Sequence, residues 1–458
     1  MFKLPLGKSV LSHQIWIFAI TFMLYAAVHA ARKTIGSVAN PLESFGYTSS
    51  FISYMNSAFM MSYAIGMVFT GTLGDKFKPT VVLLISCLLS AAICTVFGLM
   101  SPTLTGTSMW YLYIIFWVIN GVAQSCVWPA EVKLMSNWFG GDHSGSIFGI
   151  WCANACVGNI LGIGLTAICF SIWDKDQTGV SWAFIIPSAV LVFAVALTFL
   201  LPNTRTEGGF EEVPTAEDQQ VPEITSTKEQ PKMSFWAAWL LPGIIRYSLC
   251  YACIKSVNYT LFFWLTKFLE DIGHPSSISY LITALNDVGW IFGGLACGYG
   301  SDKMGSRAPY VGLFILISII PTALVYPCAD NAVVVATLIT LNGFFVGGAG
   351  NVVASAVCAD LGKNEKVKGS ADVTSQVVGI VDGVGALGAA ICQLAVGYLS
   401  RKWALIFYGL TVMLGVSLAL ISDLVYRETL EWWANRKLSA VKSETTSEIV
   451  VDEKVSDL

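Results

Sequence analysis

Nine charged residues stand inside otherwise apolar stretches of the chain: Arg32, Lys33, Glu131, Lys133, Arg246, Lys255, Asp287, Asp360 and Asp382. A charge inside a bilayer is costly and usually faces a cavity or a partner. The most deeply embedded of these positions hold more positive than negative charge. A cavity lined with arginine and lysine suits an anion, and a guanidinium suits phosphate through two parallel hydrogen bonds. The chemistry on offer is therefore binding an oxyanion rather than breaking a bond. No Walker sequence, nucleophile elbow or metal-ligand cluster accompanies these residues, which disfavours an ATP-driven pump or a membrane enzyme. No cofactor or metal is expected.

Arg32 and Lys33 lie toward the far end of the first apolar span. A basic pair can snorkel to headgroups there, but this pair would violate the positive-inside rule. Tyr25, His29 and Arg32 share one helical face, which favours a site. Lys255 is near the middle of its span and too deep to snorkel. Arg246, nine residues earlier, reads as an interfacial anchor. In the fourth span Gln124, Trp128 and Glu131 fall on one face, with Lys133 offset. Trp128 could wall a sugar ring or simply pack. Lys133 could contact an anion or act at a gate. Asp287 and Asp382 have three readings: proton carriers, partners for Lys255, or hydrogen-bonders in a cavity wall. Asp360, beside Gly362, reads as a cap. Asn154 and Asn159, among Gly158 and Gly162, read as close-packing residues, and His29 as a packed or hydrogen-bonding one.

The elements that must position these groups follow from composition. Of 458 residues, 55% are hydrophobic and 12% charged, about half the charged fraction of a soluble domain. The mean hydropathy is +0.66. A disordered chain, a disulfide-stapled secreted module and a nucleic-acid binder are excluded, leaving an integral membrane protein. The twelve cysteines are scattered through apolar runs and read as packing residues. Twelve spans are expected near 13–38, 52–73, 79–100, 109–138, 143–172, 182–201, 239–268, 276–299, 308–327, 331–360, 370–399 and 403–426. Period-2 alternation is absent, which excludes a β-barrel.

An acidic, proline-bearing stretch divides the spans. The expected organisation is a six-helix bundle over 1–201, a linker over 202–238, a second bundle over 239–427 and a polar tail over 428–458. Trp432 and Trp433 are expected at the membrane surface. Lysine and arginine bias places both termini and the linker in the cytosol, with Lys175, Lys267, Arg401 and Lys402 opposite. The halves also repeat a motif. Gly71-Thr-Leu-Gly-Asp75-Lys76 follows the second span and Gly298-Tyr-Gly-Ser-Asp302-Lys303 follows the eighth. Both read as gate-bracing loops. The expected fold is all-α: a major facilitator fold of twelve transmembrane helices in two pseudo-symmetric six-helix bundles.

The residues also carry a family resemblance. It rests on His29-Ala-Ala-Arg32-Lys33-Thr, Asn120-Gly-Val-Ala-Gln124-Ser-Cys-Val-Trp128-Pro129, Asn137-Trp-Phe-Gly140 and Val157-Gly-Asn-Ile-Leu-Gly162. The second half adds Tyr251-Ala-Cys-Ile-Lys255-Ser-Val-Asn258-Tyr, Asp287-Val-Gly, Ala359-Asp360-Leu-Gly362 and Gly379-Ile-Val-Asp382-Gly383. Together these resemble the organophosphate:phosphate antiporters, most closely the eukaryotic sugar-phosphate exchangers (solute carrier family 37). The resemblance implies exchange of a phosphorylated sugar or glycerol phosphate for inorganic phosphate, and an endoplasmic reticulum membrane. It makes Arg32 the phosphate-binding arginine with Lys33 its neighbour, and Tyr63 a cavity-wall tyrosine. Lys133 matches a fourth-helix basic residue, and Asp287 stands where a bacterial relative has glutamate. Asn258 replaces the second arginine of bacterial members, so Lys255, one turn earlier, is inferred to supply that charge. The fifth-helix histidine is replaced by Ala155 and a second-helix lysine by Met67.

The expected mechanism is alternating access, with Arg32 and Lys255 from opposite halves clasping one phosphate. Two uncompensated cations in an empty site would oppose closure and make exchange obligatory. The alternatives are a proton-coupled organic-anion symporter using Glu131, Asp287 or Asp382, and a non-transporting scaffold or receptor. The expected partners are sugar phosphate, inorganic phosphate and membrane lipids, with a homodimer the only assembly considered and nucleic acid excluded.

Overall fold

The computed structural model describes residues 9–70, 77–101, 109–139, 147, 150–210, 239–362, 373–399 and 401–456. Asp75, Lys76 and residues 211–238 of the linker lie outside them.

Among the described residues the chain is helical throughout. The first half holds α1 (Val10–Ser37), α2 (Ala39–Ser44), α3 (Ser49–Thr70), α4 (Pro79–Met100), α5 (Trp110–Ser125), α6 (Val127–Ser136), α7 (Asn154–Trp173) and α8 (Gln177–Phe199). The second holds α9 (Ile244–Asp271), α10 (Ser276–Met304), α11 (Ala308–Val325), α12 (Ala332–Asn342), α13 (Gly348–Val352), α14 (Cys358–Gly362), α15 (Val373–Leu399) and α16 (Trp403–Ser456). Two π-helical stretches, Gly343–Gly347 and Val353–Val357, join α12, α13 and α14 into one rod. With α5 and α6 as another, twelve long rods result, six per half. Ten are long and apolar enough to cross a membrane by length and composition. The protein is a multi-pass membrane protein.

The fourth rod is irregular. Pro129 has no N–H to give the carbonyl of Ser125, and its ring crowds that carbonyl. The hydrogen-bond ladder is accordingly interrupted at Cys126, between α5 and α6. Cys126 itself keeps right-handed helical dihedrals, φ −78° and ψ −20°, so the rod continues through the irregularity. One correction concerns Asp302 and Lys303. They are not in a loop but in the last turn of α10, which Gly305 ends at φ 71°.

We call the end carrying the start of α1 and the linker the linker end, and the opposite one the far end. At the far end the halves are in intimate contact. Gly36 of α1 meets α9 so closely that a Cβ would sit 2.7 Å from the Phe263 carbonyl oxygen. On α3, Ser50 and Ser57 donate to the carbonyls of Gly397 and Ala390 of α15 at 3.1 and 2.9 Å, and Ser53 donates to that of Gln393. Small residues and interhelical hydrogen bonds are what associate helices where water supplies no drive. An ionic cluster closes the same end. Lys267, fully buried, donates to Asn40 at 2.6 Å, Glu43 at 2.8 Å and Asp271 at 3.2 Å. Arg401 reaches Glu43 at 2.7 Å, and Lys175 reaches Glu270 at 2.6 Å. Burial works to raise the Glu43 pKa, but hydrogen bonds from Lys267, Ser49 and Arg401 hold it below the usual carboxylate range.

At the linker end the ionic contacts among the described residues stay within a half. Arg307 pairs with Asp302 and, at 2.9 Å, with Asp360 of α14. Arg246 pairs with Asp423. Residues 202–210 are a strap docked on the first half: Trp138 donates to the Pro202 carbonyl at 3.1 Å, and Lys78 pairs with Glu207 at 2.6 Å. At the other terminus α16 runs on unbroken past 427 to Ser456, carrying Trp432 and Trp433. All twelve cysteines are free.

Candidate functional site

The site is built from the first helix of each half, α1 and α9, both 28 residues long. Arg32 of α1 is buried. Its Nε donates to Gln124 Oε1 at 2.7 Å and its Nη1 to the Tyr259 hydroxyl at 3.2 Å. Gln124 is held in turn, donating to Ser90 at 3.0 Å and Asn120 at 3.2 Å. Nη2 of Arg32 is buried with no hydrogen-bond partner. Arg32 also lines a small cavity with Phe59, Asn120 and Phe263. A buried guanidinium N–H without an acceptor is expensive, and an anion oxygen would relieve the cost.

Lys255 of α9 approaches Arg32 across the Tyr63 ring. Its Nζ lies 5.8 Å from the centre of the Tyr63 ring, and the Arg32 guanidinium carbon lies 5.1 Å from it. Tyr251 and Tyr259 complete an aromatic cage around Lys255 at 5.4 and 5.7 Å. Two cations from opposite halves thus share one tyrosine. Lys255 is not bare, however. It donates to Asp382 Oδ1 of α15 at 2.6 Å. The expectation of two uncompensated cations in an empty site is corrected here: of the three readings of Asp382, the geometry selects partnership with Lys255.

Lys33 takes a different direction from Arg32, as adjacent helical residues must. Its ammonium donates across the halves to the Phe262 carbonyl at 2.5 Å and sits 4.4 Å from that ring's centre. Asp287 of α10 accepts from Asn159 Nδ2 of α7 at 2.6 Å, and Asn159 Oδ1 lies 3.0 Å from His29 Nδ1. Asn159 is therefore a bridging residue and not merely a packing one. Tyr25 stands between His29 and Trp128, with ring centres 4.9 and 4.8 Å away, and Trp128 stacks on Trp151.

The sequence of the chain matches the Major Facilitator Superfamily over residues 21–381. Sugar phosphate exchanger 3 of Bos taurus is 33% identical, with 91% of this chain and 94% of that protein covered. The human protein of the same name is 32% identical, covering 91% and 93%. The chain belongs to the sugar phosphate exchanger family. Glucose-6-phosphate exchanger SLC37A2 of Bos taurus is 29% identical over 93% of this chain and 97% of that one. Among solved structures, the nucleoside transporter NupG (D323A mutant) superposes with a TM-score of 0.64 at 12% identity, covering 90% and 99%. An inward-facing, occupied bacterial homolog of the human lysosomal transporter Spinster gives 0.62 at 15% identity, covering 93% and 97%. These two likenesses show the major facilitator fold.

Not every expected site residue converges. Arg32, Tyr63, Gln124 and Lys255 do. Asn258 lies against α13 beside Gly350. Trp128 belongs to the aromatic group with Tyr25. Glu131 is buried apart, with neither carboxylate oxygen hydrogen-bonded. Lys133 sits in the last turn of α6. Sequence reasoning passed over Tyr259 and Tyr251. Their spacing from Lys255, four residues either way, was the available signal.

Proposed function

We infer that the protein is a secondary transporter that exchanges a phosphorylated sugar, or glycerol phosphate, for inorganic phosphate by alternating access. The observation that carries this reading is the convergence of Arg32 and Lys255 from opposite halves on Tyr63. An anion held by both would draw the halves together, and rocking about the held group would move it across. Arg32 offers an unpartnered donor. Lys255 can exchange its internal carboxylate for the phosphate. No bond-making chemistry is proposed, and the protein acts as a carrier rather than an enzyme. Kinship supports the substrate class: relatives bear the names sugar phosphate exchanger, glucose-6-phosphate exchanger and, in Arabidopsis thaliana, putative glycerol-3-phosphate transporter 5.

The test is uptake of labelled phosphate into proteoliposomes with and without phosphate or glucose 6-phosphate inside. Antiport requires uptake to depend on the internal anion. Glu131 favours one other mode, since a buried carboxyl without partners is a place to carry a proton. That mode predicts uptake driven by a pH gradient into liposomes lacking internal phosphate. No uptake in either format would leave a scaffold.

By the positive-inside rule we place the linker end in the cytosol, and by resemblance we place the protein in the endoplasmic reticulum. Protease protection of a tag at residue 458 in microsomes tests both.

A further inference from the structure

His29 has its role set by the residues behind it. Asp287 of α10 stands at one end of a side-chain relay and accepts a hydrogen bond. Its donor is the amide nitrogen of Asn159, at 2.6 Å. That choice turns the Asn159 amide oxygen toward His29, at 3.0 Å from Nδ1. An oxygen acceptor there needs a proton on Nδ1. In the neutral imidazole the lone pair is then on Nε2. That nitrogen makes no hydrogen bond among the described residues. The relay Asp287–Asn159–His29 thus fixes a ring orientation and a tautomer, and leaves one acceptor in use by nothing.

Three further observations locate that acceptor. His29 is one turn before Arg32 on the same face of α1. It is buried within electrostatic reach of Arg32, Lys255 and Lys33. Its other neighbours are aromatic: Tyr25 at 4.9 Å, with Trp128 beyond it. An apolar ring wall beside one oriented acceptor suits the carbon face and a hydroxyl of a sugar. It suits phosphate poorly, because an unprotonated phosphate oxygen is itself an acceptor.

We propose that His29 is the specificity residue for the organic part of the substrate, accepting a hydrogen bond from a hydroxyl at Nε2, and that Asn159 is the positioning residue that aims it. Tyr25 and Trp128 form the ring wall of the same subsite. This rests on the exchange function proposed above and adds a division of labour. Arg32 and Lys255 hold the phosphate group that both substrates share. His29 reads the part that only one of them has.

The experiment compares apparent KM for phosphate with that for glucose 6-phosphate in proteoliposomes loaded with phosphate, for wild type, His29→Phe, His29→Gln and Asn159→Leu. The ratio of the two KM values is the readout. It should shift against glucose 6-phosphate by about tenfold or more in His29→Phe and Asn159→Leu. His29→Gln keeps an acceptor and should fall between. Singly deoxygenated glucose 6-phosphates, used as competitors of the wild type, should include one that binds more weakly. That analogue should lose its disadvantage in His29→Phe, a comparison that needs only two working proteins. The two KM values rising in step would overturn the proposal, since His29 would then act on the phosphate group. An unchanged ratio, or no weakened analogue, would overturn it too. Failure of the wild type to exchange phosphate at all would instead sink the transport reading beneath it.

Discussion

Arg32 and Lys255 occupy the first helices of two related halves, yet they are supported in opposite ways. Arg32 has neutral hydrogen-bond partners only, Gln124 and Tyr259, and its Nη2 has none. Lys255 has a carboxylate of its own half at 2.6 Å and a ring of tyrosines. In the exchange cycle proposed above, the first cation is free to meet the anion and the second is shared with a resident carboxylate. The geometry also suits the side chains. A planar fork on a rigid bracket confers direction, whereas a compact ammonium can pass between carboxylate and phosphate.

The comparison can be broken most severely at Arg32. Arg32→Ala should lower phosphate exchange about 100-fold or more, since charge-assisted contacts to the anion are lost without a substitute. Exchange rates in proteoliposomes check this, and a rate near wild type would end the assignment. Lys255→Ala should be next, at about 10- to 100-fold, and should also reduce the yield of folded protein because the half-buried Asp382 is left unpaired. The double variant Lys255→Ala/Asp382→Asn should recover the yield on size-exclusion chromatography but not the exchange. Asp382→Asn alone sharpens the contrast. It removes the resident competitor, so KM for phosphate should fall several-fold; a rise would mean that Asp382 instead positions the ammonium. Smallest is Tyr259→Phe, which deletes one 3.2 Å hydrogen bond to Arg32. It should change exchange by about threefold.

The rods and their division into halves were legible because span length and hydropathy are local properties. Arg32 and Lys255 were legible for a related reason: a cation in an apolar run stands out. What supports them was not. Asp382 is 127 positions from Lys255, and nothing local distinguishes a partner from a proton carrier. Asn159 was masked by glycines that do serve packing: a Cβ at Gly158 would lie 2.3 Å from the Ala26 carbonyl oxygen. Pro129 marks the irregularity at Cys126 in the sequence, where the hydrogen-bond ladder is interrupted and the rod continues. The motif ending in Asp302-Lys303 is polar like a loop, whereas α10 continues through it to Gly305, which can end it.

The far-end cluster around Lys267 is wet on one side and dry on the other. Arg401 is 61% exposed on its side chain, while Lys267 has no exposure at all. Mobile ions reach only the first, so added salt should loosen the rim and leave the interior contacts tight. Parting the halves would hydrate Lys267 together with Glu43 and Asp271, so water itself is a reactant in the opening step. Crowding solutes that lower water activity should then slow that step even where salt has no further effect. Carriers whose far end meets a concentrated solution and those in dilute buffer would differ in tempo without any difference in affinity.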